Sequence, residues 1–110
     1  MRYIGIANQT MIQDFLQSLR EPDFDKILRH VDEINTRGID LSNYSKQVLH
    51  YIDMHYTEDI THMSQYAELF SNILTQQKYY PNPLLAYKVE LWKYYQKFHS
   101  LDDHNITSKK

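Results

Sequence analysis

The chain has 110 residues, no cysteine and only two glycines, with 42% hydrophobic and 24% charged residues and a formal charge of −2. That length fits one domain with one core, and the composition excludes wholesale disorder. The missing cysteines remove disulfides, thiolate nucleophiles and cysteine zinc sites, while the balanced charge disfavours direct nucleic-acid binding.

Residues 1–10 read as a lead-in segment, with the apolar stretch Tyr3-Ile4-Gly5-Ile6 too short for a signal peptide. A first helix is expected from about Met11 to Arg20 with Thr10 as its N-cap, because Met11, Ile12, Phe15, Leu16 and Leu19 fall on one stripe at helical spacing. Pro22 ends it. A second helix, capped by Asp23, runs from Phe24 to Thr36 with Phe24, Ile27, Leu28, Val31 and Ile34 on its apolar stripe, and Gly38 stands where a left-handed C-terminal glycine belongs. The third starts after Asp40 or Ser42 and carries Leu41, Tyr44, Val48, Tyr51, Ile52 and His55 on one face.

Tyr56 to Thr61 reads as a polar connection, followed by a fourth helix from Met63 to Lys78 with Met63, Tyr66, Ala67, Phe70, Ile73, Leu74 and Gln77 along one side. Asn82 followed by Pro83 is a cap with proline in the first helical position, so a fifth helix runs from Leu84 to His99. Residues 100–110 form a polar tail expected to fray. Short loops between amphipathic helices, with no period-two segment, predict an all-α bundle of about five helices.

Chemistry-bearing patterns are sparse. There is no P-loop, GxSxG or HExxH. His50 and His55, five apart, lie about 140° apart on a helix, and His62 is across the connection, so no metal site and no cofactor are expected. Asp23 and Asp25 complement a helix N-terminus rather than forming an acid–base pair. No apolar run nears the roughly 18 residues of a membrane helix, and the cysteine-free composition is consistent with a cytoplasmic location.

The fifth helix carries two apolar faces. Leu84, Tyr87, Leu91, Tyr94 and Phe98 form one; Leu85, Val89 and Trp92 form another, rotated by about 140°; Lys88, Glu90, Lys93 and Lys97 fill the gaps. A surface helix needs one apolar stripe. The inner stripe is therefore assigned to the core, and Leu85, Val89 and Trp92 to a candidate protein interface, tryptophan being enriched at interface centres. The competing reading of that face is a central helix buried on both sides.

The order of these features resembles the collar domain, the third domain, of the bacterial DNA polymerase III gamma/tau clamp-loader subunit. The segments that carry the likeness are Tyr3 to Ala7, Phe15 to Leu28 with the acidic turn around Asp23, Val31 to Asp40 ending in Gly38-Ile39-Asp40, and Tyr66 to Glu90 with Pro83 seven residues before Glu90. The family's arginine near the end of the third helix is replaced here by Tyr51 to Tyr56. The resemblance implies a non-catalytic role: collar domains join subunits into a ring-shaped pentamer, and ATP hydrolysis belongs to preceding domains with a P-loop and a zinc module. Implied partners are gamma/tau, delta and delta-prime type subunits, with a homo-oligomer also open. The chain is then either a piece of a longer ATPase subunit or a stand-alone paralogue. The alternative is an unrelated helical adaptor that binds a partner protein or peptide in an apolar groove.

Overall fold

The computed structural model describes residues 8–99; the Tyr3-to-Ala7 motif and the polar tail lie outside them. Five α-helices follow in order: α1 (Gln9–Ser18), α2 (Phe24–Thr36), α3 (Leu41–His55), α4 (Ile60–Gln76) and α5 (Pro83–His99). The chain folds as an all-α bundle, with no strand among the described residues. α4 packs on α3 and α5, and α5 on α2.

Local chemistry sets most boundaries. Asn8, not Thr10, caps α1: its Oδ1 accepts from the Met11 amide at 2.8 Å, and Thr10 sits inside the first turn. Asp23 caps α2 through the Lys26 amide at 3.1 Å. At the end of α2, Gly38 has φ 82°. The Ile39 amide reaches back to the Ile34 carbonyl at 3.3 Å, and the Gly38 amide to that of Asn35 at 3.1 Å. This is a Schellman turn, sealed by the buried pair Ile34 and Ile39. Asp40 caps α3 through the Asn43 amide at 2.9 Å; Ser42, the other candidate, instead donates to Gln77 Oε1.

The polar connection after α3 is shorter than its composition suggests. Tyr56–Glu58 makes one 3-10 turn, and Asp59 then caps α4, which begins at Ile60 rather than Met63. Ile60 is exposed, so the apolar stripe starts later than the helix does. α4 closes with a second 3-10 turn at Gln77–Tyr79, and Asn82 Oδ1 accepts from the Leu85 amide at 2.9 Å to start α5 behind Pro83.

A row of rings runs through the core. Phe15 meets Tyr44 and Phe70 edge-on, each with centroids 5.9 Å apart, and Phe70 meets Tyr87 at 6.2 Å. All four are fully buried. Burying each such side chain contributes about 1.5–3 kcal/mol, and each edge-on pair about 0.5–1.5 kcal/mol more.

Candidate functional site

On α5, Tyr87, Leu91 and Tyr94 are buried, and Leu84 and Phe98 are half-buried against the core. The second stripe lies further out: Leu85 is 38% exposed, Trp92 45%, and Val89 is intermediate. Trp92 does not stand alone. Phe24, at the first turn of α2, meets its indole edge-on at 5.0 Å, and Tyr95 stacks on it at 5.8 Å with 19° between the planes. Phe24 also lies 5.3 Å from Tyr95, and Tyr95 lies 5.1 Å from His99. His99 Nε2 donates to the Leu19 carbonyl at 2.6 Å, which ties the end of α5 to the end of α1. The result is an aromatic surface built from two helices and held by a third.

Phe24, Tyr95 and His99 escape the pattern reading. Phe24 falls on the core stripe of α2, and Tyr95 on neither stripe of α5. The available signal was the spacing of Trp92, Tyr95 and His99, three and four apart on one helix.

The motif residues serve mostly as turn chemistry. Asp23 and Asp40 are caps, Gly38 is the left-handed residue and Pro83 opens α5. Asp40 and Pro83 line one shallow depression between the start of α3 and the start of α5. Glu90 stands apart from them. Pattern places it among polar gap residues, whereas it is 5% exposed, because its position on α5 faces α4 rather than solvent.

Two of the histidines, His55 and His62, are engaged in local pairs. His55 Nδ1 lies 2.9 Å from Glu58, with its ring stacked on Tyr51 at 4.3 Å. His62 Nδ1 lies 2.9 Å from Asp59 Oδ2. Arg20 completes that second group, with Nη2 on Asp59 Oδ2 at 2.9 Å and Nε donating to Tyr66 Oη at 2.8 Å. The His62 amide, foremost, and then the His62 ring and Arg20 hold the Asp59 carboxyl below the usual carboxylate range. The Tyr66 hydroxyl is the main reason the Arg20 guanidinium is held above its usual value. Among the described residues no group of three or more His, Asp or Glu side chains converges in the manner of a metal site. Among them, too, no helix is long and apolar enough to cross a membrane.

Compared with protein-family models, curated proteins and solved structures, the chain matches none.

Proposed function

We infer that the chain is a non-catalytic assembly module that joins protein subunits through the Trp92 face of α5, and that those subunits belong to a replication clamp loader. The observation that supports the first part is the surface itself. A tryptophan, a tyrosine and a phenylalanine share one patch, with Leu85 and Val89 up-helix on α5, and Trp92 and Leu85 remain open to solvent. Rigid aromatic side chains supply large contact area at small entropic cost and recur at the centres of protein contacts. The second part rests on the sequence resemblance to the gamma/tau collar, whose turn residues Asp23, Gly38, Asp40 and Pro83 all sit at helix ends here.

The partners are gamma/tau, delta and delta-prime type subunits. The chain's own role is to present a face, with ATP turnover left to other domains.

Size-exclusion chromatography of the chain mixed with those subunits tests both parts. Co-elution is expected, and Trp92→Ala should abolish it. In the isolated chain the same change should cost about 1–3 kcal/mol, from one edge-on and one stacked contact, below the roughly 3–5 kcal/mol of a core aromatic. A core-sized loss would remove Trp92 from the interface. Failure of the wild-type chain to co-elute would remove the clamp loader.

A further inference from the structure

Glu90 lines a groove of about 340 Å³ between α4 and α5. Leu69, Tyr94 and Phe98 supply its apolar wall, and Gln65, Asn72 and Gln76 bring side-chain amides from α4. A buried carboxylate is costly unless it is paired, and the pairing here is thin. Lys93 Nζ reaches Glu90 Oε2 at 3.4 Å, with the lysine side chain 63% exposed and the glutamate side chain 6%. Lys97, also at the mouth, is turned elsewhere: its ammonium lies 5.3 Å over the Phe98 ring and 4.0 Å from Glu68. The groove thus carries Lys93, Lys97 and Glu68 at its exposed rim and the buried carboxylate of Glu90 below them.

We propose that this groove receives an arginine side chain of a partner protein, its guanidinium on Glu90 and its methylene stem along Leu69, Tyr94 and Phe98. The flat guanidinium forks onto a carboxylate with two parallel hydrogen bonds and has further N–H donors for the amide oxygens of α4. A lysine ammonium carries fewer donors and no fork. The incoming cation displaces the ammonium of Lys93, the exposed partner of a long 3.4 Å contact, into water and takes over the pairing with Glu90, so the buried carboxylate is never left alone. The groove is within the size range of small-ligand sites. An anionic ligand held by the rim lysines would have to face Glu90 and Glu68. Glu90 lies about 160° around α5 from Trp92, so the site stands apart from the subunit-joining face and does not depend on it.

The probe is N-acetyl-arginine N-methylamide, titrated into the isotope-labelled chain and followed by amide chemical shifts. Saturable shifts are expected at the side-chain amides of Gln65, Asn72 and Gln76. The citrulline counterpart, equal in shape but uncharged, should produce none. Lys93→Ala should tighten binding by about twofold to fivefold, because the arginine no longer has to displace the 3.4 Å lysine contact from Glu90. Glu90→Gln should abolish it, with a cooperative thermal transition as the check on folding. Should that variant fail to fold, Lys93→Ala, altering a solvent-exposed side chain, carries the test. Absence of saturable shifts at the groove, an equal response to citrulline, or unchanged or weaker binding in Lys93→Ala would each overturn the proposal.

Discussion

Two core tyrosines differ only in what their hydroxyls meet. Tyr87 Oη donates to the Leu41 carbonyl at 3.0 Å and also pairs with Ser45 Oγ. Tyr44 Oη is buried and, among the described residues, has no hydrogen-bond partner. Burial raises both phenols well above their usual range. Removing a hydroxyl that has no partner relieves a desolvation cost, whereas removing a paired one strands its acceptor. Tyr44→Phe should therefore leave the denaturation midpoint unchanged or higher, and Tyr87→Phe should lower stability by about 1 kcal/mol. Chemical denaturation of the two variants separates them, and the reverse order would contradict the geometry. Helical periodicity placed both rings inward, since Tyr44 and Tyr87 fall on apolar stripes. It carried nothing about the hydroxyls: the partners of the Tyr87 hydroxyl lie 42 and 46 residues away in the chain, and nothing local marks the Tyr44 hydroxyl as unpaired among the described residues. Glu90 was illegible for the same reason: its burial comes from α4, not from its neighbours on α5.

Among the helices, the ends written in local chemistry were readable and the ends hidden by exposure were not. Asp23, Gly38, Asp40 and the Asn82-Pro83 pair mark boundaries through contacts three to five residues away. The start of α4 was lost because Ile60 faces water and Thr61 and His62 add no apolar signal. Asp59 does three things there: it caps α4, holds the His62 ring and binds Arg20 from the end of α1. Its carboxyl ionises more readily in the folded chain than in the unfolded one. The stabilisation is therefore present above the ordinary carboxylate range, near about pH 4, and disappears as pH falls through the lowered folded value. Asp59→Ala should reduce the thermal midpoint at neutral pH, and the gap from wild type should narrow on acidification. A gap that stays constant into strong acid would mean the ionised form contributes nothing.

For the molecule as a whole, glycine poverty and five amphipathic stripes sufficed to specify a helical bundle. Which helices neighbour which was not legible, because stripe patterns say that a face is buried and not what buries it. The same rings that fill the core govern its behaviour in base. Desolvation raises the ionisation of Tyr44, Tyr66, Tyr87 and Tyr94 above the ordinary phenol value. Above about pH 10 the unfolded chain releases protons that the folded chain retains, so stability is full below that pH and falls as pH rises beyond it. Tyrosinate absorbance should show one group of the ten tyrosines titrating freely and another ionising only as helical circular dichroism collapses. A single titrating class with the helices intact would refute buried, neutral phenols.

The placement of Trp92 also makes the chain its own optical instrument. It is the one tryptophan among ten tyrosines, held at a half-wet surface in van der Waals reach of Tyr95 and Phe24. Excitation absorbed by the buried rings drains to this indole, whose emission colour registers the water around it. A subunit arriving on the aromatic face would strip that water and shift the emission to the blue, while an arginine entering beside Glu90, on the far side of α5, would leave the colour unchanged. One fluorescence spectrum thus tells the two surfaces apart without a label.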